Sequence, residues 1–242
     1  NKILEACGLK DGQVFFLTGG TQTNQIIIST MLQNYEGVVA VKTGHVSVHE
    51  AGAIEYTGHK VIELEDKEGK LQSDTLKQCL AGFYADGNHE HMVFPGMVYI
   101  SHPTEYGTIY SKSELTDIYS VCKEYNIPLF IDGARLGYGL CSKKSDVTLK
   151  DIAALCDVFY IGGTKCGAAF GEAVVITNDE LKLHFRSSIK QNGGMLAKGW
   201  LLGIQFATLF ENGLYLSETK KATSYALKIK KAFNDAGIKN YI

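Results

Sequence analysis

Two stretches decide the fold: Pro128-Leu129-Phe130-Ile131-Asp132-Gly133-Ala134-Arg135 and Asp157-Val158-Phe159-Tyr160-Ile161-Gly162-Gly163-Thr164-Lys165-Cys166-Gly167. In each, an apolar run of strand length ends in a loop of small residues. Each loop carries a charged side chain, Asp132 in the first and Lys165 in the second. Runs so solidly hydrophobic belong to strands buried on both faces. In open α/β sheets, ligands bind beyond the carboxyl ends of such strands.

Working outward, five further runs have the same character: Val14–Leu17, Val38–Val41, Val61–Leu64, Met97–Ser101 and Ala173–Ile176. Amphipathic stretches separate most of them, among them Thr23–Leu32, Val48–Tyr56, Ser73–Tyr84 and Lys112–Tyr125. This alternation predicts an α/β protein of three layers, a mainly parallel seven-stranded sheet with helices on both faces. Beyond Asn178 the strand signals stop. Helices are expected over Asn178–Ile189 and Ala197–Ala236, broken near Gly193-Gly194 and Gly213. The polar segment Asp86–Pro95 is expected to be an exposed loop. Residues 1–225 are expected to form a large domain, and 226–242 the start of a small C-terminal one, with a strand beginning in Gly237–Ile242. The opening residues have the character of mid-helix sequence, and a preceding segment is expected.

The 242 residues are 45% hydrophobic and 21% charged, an ordinary globular composition. A formal net charge of -2 gives no reason to expect a nucleic-acid partner. The Lys220, Lys221, Lys228, Lys230, Lys231 group has the spacing of the wet face of a surface helix. No apolar run approaches the ~20 residues that span a bilayer, so no membrane partner is expected. The six cysteines lie far apart without zinc spacing, as reduced thiols of a cytoplasmic protein would. His45 and His49 have the i, i+4 spacing of metal ligands, but no third ligand has matching spacing, and no metal is expected.

Three loops follow predicted strands and fit one ligand. Thr18-Gly19-Gly20-Thr21-Gln22-Thr23-Asn24 would bring backbone amides and a helix N-terminus to an anion; alone, it could equally be a tight turn with a Thr cap. Asp132 emerges from a buried strand and needs a partner there. A protonated pyridine nitrogen would serve, and so would an ion pair with Arg135. Lys165 lies among small and apolar residues, where desolvation would make its amine a nucleophile toward carbonyls. A phosphate cradle, a pyridinium partner and a Schiff-base amine at one end of one sheet are the parts of a pyridoxal-phosphate site.

At these residues the sequence resembles the low-specificity threonine aldolase / β-eliminating lyase family of fold-type I pyridoxal-phosphate enzymes. The resemblance rests on GGTQTN (19–24), HVSVHEAGAIEYTG (45–58), HPTEYGTIYS (102–111), DGAR (132–135), GGTKCGAAFGEAVV (162–175) and NGGM (192–195). It implies that Gly20, Thr21 and Gln22 contact the phosphate and that His45 stacks on the pyridine ring. It also implies that Asp132 pairs with the ring nitrogen, Arg135 helps to bind the substrate carboxylate, and Lys165 carries the cofactor. The implied reaction splits threonine or allo-threonine into glycine and an aldehyde; β-elimination, amino transfer and an inactive relative of the fold share the same parts. Glu105 stands where many threonine aldolases have a second histidine, and His45, Glu105 and His49 are rival bases for the substrate hydroxyl. A homodimer or homotetramer is implied as well, with Gly193-Gly194, Lys190 and Lys198 as candidates for contact with a partner's phosphate site or for a plain helix break.

Overall fold

In the computed structural model, which describes residues 2–239, seven strands form one sheet. They are β1 (Gln13–Leu17), β2 (Glu36–Val41), β3 (Val61–Leu64), β4 (Phe94–Ser101), β5 (Leu129–Asp132), β6 (Val158–Gly162) and β7 (Glu172–Ile176), in the order β1-β7-β6-β5-β4-β2-β3. β7 runs antiparallel to both neighbours, and the other pairings are parallel. Each of the seven apolar runs from Val14 to Ile176 lies in one of these strands. β5, β6 and β7 are buried at every residue, whereas the edge strands β1 and β3 are partly exposed.

The period-two geometry of a strand sends alternate side chains to opposite faces. Val98, Ile100, Leu129, Ile131, Phe159, Ile161 and Val175 join one core cluster, and Met97, Tyr99, Phe130, Val158, Tyr160, Val174 and Ile176 join the other. Helices cover each. α1 (Lys2–Ala6) and α2 (Gly20–Met31) lie on opposite faces, and α3 (His45–Val48) and α4 (Ala53–Tyr56) join α2. α5 (Ser73–Ala85), α6 (Lys112–Glu124), α7 (Leu136–Leu140) and α8 (Leu149–Ala154) lie with α1. α9 (Phe185–Gln191) packs on the α2 side, and α10 (Trp200–Leu209) and α11 (Leu214–Asp235) on the α1 side. None of the described helices is long and apolar enough to cross a membrane.

Two helical expectations need correction, each for a backbone reason, and so does one loop expectation. The single helix expected over Val48–Tyr56 is two short ones, because Ala51 and Gly52 take left-handed φ values of 51° and 71°. Asn178–Ile189 is a 3-10 turn, Asp179–Lys182, followed by α9, with left-handed His184 between them (φ 58°). β4 begins at Phe94, inside the segment expected to be loop. Gly213 separates α10 from α11 at φ 71°, where the sequence placed a break. The boundary expected at 225/226 falls inside the continuous helix α11. Gly237–Lys239 form no strand, and residues 240–242 of that expectation lie outside the described residues.

The loops beyond β5 and β6 touch backbone to backbone. A Cβ on Gly133 would sit 2.0 Å from the carbonyl oxygen of Tyr160, and one on Gly162 would sit 2.2 Å from that of Ala134. Only glycine permits this approach. It brings the end of the strand bearing Asp132 against the start of the loop bearing Lys165. Gly133→Ala and Gly162→Ala should therefore each destabilise by about 3 kcal/mol or more. Gly82→Ala, inside α5 with nothing within 4 Å of its Cβ, should instead stabilise by roughly 0.5–1 kcal/mol. Urea unfolding of the three variants checks both directions.

Candidate active site

Asp132 ends β5 with its side chain on the α2 side of the sheet, and the residue is only 4% exposed. Four donors meet its carboxylate. Tyr99 Oη donates to Oδ2 at 2.5 Å and Tyr160 Oη to Oδ1 at 2.5 Å. The Ala134 N–H reaches Oδ1 at 2.9 Å, and Asn24 Nδ2 reaches Oδ2 at 3.3 Å. The tyrosines come from the flanking strands β4 and β6. Burial and the neighbouring carboxylate push both phenols well above their ordinary range, so they stay neutral donors. Among the described residues these four donors are the partners of the Asp132 carboxylate, and no ion pair with Arg135 is formed.

From Asp132 the polar network runs to α3. Asn24 Nδ2 also donates to Glu50 Oε1 at 2.8 Å, and the same oxygen lies 2.9 Å from His45 Nδ1. The hydrogen bond to Glu50 raises the His45 pKa against the opposing effect of burial. His45 heads α3 with its side chain 23% exposed, and its ring lines a cavity of about 250 Å³ that Asp132 and Lys165 also line. Glu105 lines it too. Its Oε1 accepts Ser101 Oγ at 2.6 Å and the His45 N–H at 3.2 Å, and burial raises its pKa. His49 is exposed and does not line the cavity, although its ring lies 5.7 Å from that of His45.

At one end of the cavity stand Gly20 and Thr21. The first backbone N–H groups of α2 have no intrahelical acceptors. The cap residue Gly19 has no atom within 4 Å of a built Cβ, and Gly20 has only Tyr160 Oη at 3.2 Å. That is open backbone beside a helix N-terminus, a cradle for an anion. The Gln22 side chain turns back instead, its Oε1 accepting the Thr18 N–H at 3.1 Å and Thr18 Oγ1 at 2.8 Å. Gln22 can thus offer an anion its N–H, but that oxygen is already committed.

Lys165 is the third residue of the β6–β7 connection. The Gly163 and Thr164 N–H groups donate to the Gly171 carbonyl at 3.1 and 3.0 Å, and the Gly171 N–H donates to Thr164 Oγ1 at 2.9 Å. The desolvation expected for Lys165 is not present: the residue is exposed at the cavity mouth, because glycines and alanines surround it instead of bulky apolar side chains. Arg135 is half-buried and lines the same cavity. Among the described residues its guanidinium has no ion pair or hydrogen bond, a free cation facing the space where a substrate carboxylate would lie.

Sequence reasoning missed Asn24, Glu50, Tyr99, Tyr160 and Glu172. Glu172 is 3% exposed, accepts the Gly163 N–H at 2.8 Å, and is pushed up to about 7 by burial. The available signal was an acid heading a run otherwise apolar, Glu172-Ala173-Val174-Val175-Ile176. For the tyrosines it was alternation: Tyr99 and Tyr160 point to the same face as Asp132. The residues fit pyridoxal phosphate: an open amide cradle, a buried carboxylate, a ring to lie against, and an amine at the mouth. Among the described residues no group of three or more His, Cys, Asp or Glu could hold a metal ion.

Sheet order, buried aspartate and loop lysine define the fold-type I class of pyridoxal-phosphate enzymes. Residues 2–239 match the family model described as β-eliminating lyase, and the chain belongs to that family. The low specificity L-threonine aldolase of Pseudomonas sp. (strain NCIMB 10558) is 32% identical over 221 residues, covering 89% of this chain and 62% of the relative. The solved threonine aldolase of Leishmania major is 47% identical with a TM-score of 0.93, covering 98% of this chain and 68% of that one. Cystalysin from Treponema denticola, whose structure contains pyridoxal 5'-phosphate, shares the fold at 16% identity and a TM-score of 0.68, over 92% of this chain and 56% of that one. The chain spans about three-fifths of the length of the curated relatives it matches.

The Asp132 network makes a stability prediction of its own. Tyr160→Phe or Tyr99→Phe removes one donor from a buried carboxylate and should cost about 1–3 kcal/mol. Denaturant unfolding of each variant against the parent measures it, and a loss below 0.5 kcal/mol, taking roughly the floor for a net hydrogen bond, would count against the network's role.

Proposed function

We propose that this chain is the cofactor-binding part of a pyridoxal-phosphate lyase that splits threonine or allo-threonine into glycine and an aldehyde. The observation that carries the reading is the convergence of Asp132, Lys165 and the unpaired Arg135 on one cavity beside an open helix N-terminus. The threonine aldolase relatives supply the substrate class. A homo-oligomer and a cytoplasmic location belong to the same reading, as does the division into a large domain and the start of a small one.

When bound, pyridoxal phosphate supplies an electron sink that stabilises negative charge at the substrate Cα. Lys165 would hold it, Asp132 would face the ring nitrogen, His45 the ring, and the amides of Gly20, Thr21 and Gln22 the phosphate. The carboxylate of Asp132 already accepts four bonds, about as many as its lone pairs allow. The Asn24 bond, the longest of the four at 3.3 Å, would be the one to yield to a ring N–H.

For the substrate, Arg135 binds the carboxylate. Glu50 holds Nδ1 of His45, so the ring keeps one orientation, with Nε2 as its remaining polar atom. Glu105 is the better candidate to take the β-hydroxyl proton. Its raised pKa makes it a stronger base than an ordinary carboxylate, and Oε2 is the oxygen left over after the Ser101 and His45 bonds. His49 is set aside by its place outside the cavity.

Lys165→Ala should abolish the covalent adduct that borohydride traps from the holoprotein, and unchanged trapping would overturn the assignment. With threonine, aldehyde plus glycine is the expected product; keto acid plus ammonia, or amino transfer, would replace the aldolase reading with β-elimination or aminotransfer. Glu105→Gln should lower kcat by about 100-fold. Because burial raises the Glu105 pKa, its base form accumulates as pH rises. The parent enzyme's rate should therefore climb through an acid limb lying above the ordinary carboxylate range, and that limb should vanish in the variant.

A further inference from the structure

Behind the cavity wall, Asn24 joins two carboxylates. It is the fifth residue of α2 and wholly buried, and Ile26, Ile27 and Ile28 fasten the same helix into the core. Both hydrogens of its amide nitrogen have acceptors, Glu50 Oε1 at 2.8 Å and Asp132 Oδ2 at 3.3 Å. Among the described residues, its own Oδ1 is buried without a donor, and so is Glu50 Oε2. Buried acceptors left unpaired cost free energy, so the amide is not there to satisfy itself. What it supplies is its pair of N–H groups.

One of these matters for His45. The Glu50 side chain has no solvent exposure, and its Oε1 takes both Asn24 Nδ2 and His45 Nδ1, at 2.8 and 2.9 Å. Were His45 the sole tether of that carboxylate, the pair could swing together, and neither would orient the other. Asn24 supplies a second tether, from a helix packed on the sheet. If the Asp132 bond yields to a ring N–H, the shorter Glu50 bond remains, and with it the hold on His45.

We propose that Asn24 is a positioning residue for His45: from α2 it tethers the Glu50 carboxylate, which in turn fixes the imidazole ring. The proposal rests on the reading of His45 as the residue that lies against the cofactor ring. Around His45 stand Glu50 from the turn after α3, Glu105 from the loop after β4, Asp132 from β5 and Lys165 from the loop after β6, with the His49 ring 5.7 Å away. Among these the hydrogen bond to Glu50 acts most strongly, and it raises the His45 pKa. A loosened Glu50 lets that pKa fall.

The test is an NMR titration of the imidazole signals in cofactor-free protein, so it does not depend on turnover. Asn24→Leu keeps a branched side chain and removes both N–H groups. The His45 midpoint should fall by about half a pH unit or more, while the exposed His91 stays in place as internal control. An unchanged or higher His45 midpoint in the folded variant would overturn the proposal, because Glu50 would then stay on the ring without Asn24. Should Asn24→Leu not fold, the unmutated protein decides. Asn24 and His45 share Glu50 Oε1, so the Asn24 side-chain amide signals should shift through the His45 midpoint; amide signals flat across it refute the tether. Pyridoxal phosphate that left the His45 signals of the parent unmoved would instead remove the cofactor reading of His45 while the tether stood, so the two failures are separable.

Discussion

A buried carboxylate is expensive: even after relaxation, taking such an ion out of water costs several kcal/mol. Asp132 bears that cost in the middle of the sheet, and the arrangement around it is the compensation. Its donors come from α2, β4, β6 and the turn after β5. Each can reach it only if its own element is in register. Tyr99 lies beside Phe130 in the β4–β5 pairing, one step diagonal from Asp132 on the same face. A slip of one residue would send both tyrosine hydroxyls to the far side. The polar site and the hydrophobic layers therefore specify the same pairing.

The second constraint is closeness. Asp132 and Lys165 belong to separate strand-ends, and the glycines of Asp132-Gly133-Ala134 and Gly162-Gly163-Thr164 let those ends interlock at backbone distance. Tyr215 fastens the pair from beneath: its hydroxyl donates to the Gly162 carbonyl at 3.0 Å and accepts the Gly137 N–H at 3.1 Å. A long helix on the opposite face thus contributes one buried side chain to the geometry of the site.

The sheet was legible because strands buried on both faces have nowhere to place polar residues, and the apolar runs from Val14 to Ile176 mark them directly. The charged residues at strand ends were legible for the complementary reason, since Asp132 stands out against Leu129-Phe130-Ile131. What the sequence concealed depends on long-range contact. Asn24 looks like an ordinary helix residue until α2 is laid over the sheet, where it bridges Glu50 and Asp132. The left-handed backbone at Ala51 and His184 was equally hidden, because neither residue type announces a break as glycine does at 213. Lys165 misled in the other direction: small neighbours in sequence gave it room, and room meant exposure.

The cavity holds Asp132, Glu105 and Glu172 within a small space, with Glu50 just behind His45. Like charges so close cannot be tolerated without differentiation, and the environments supply it. Asp132 has four donors. Glu105 has a hydroxyl and a helix N–H on one oxygen, and burial raises its pKa. Glu172 accepts the Gly163 N–H, and burial pushes its pKa up to about 7. The acids thereby differ in the hydrogen bonds they receive, although Asp132 and Glu172 are almost equally buried. A site built this way can surround one carboxylate with donors and leave another, Glu172, able to exchange protons near neutrality. A single uniform environment for all of them could not provide both.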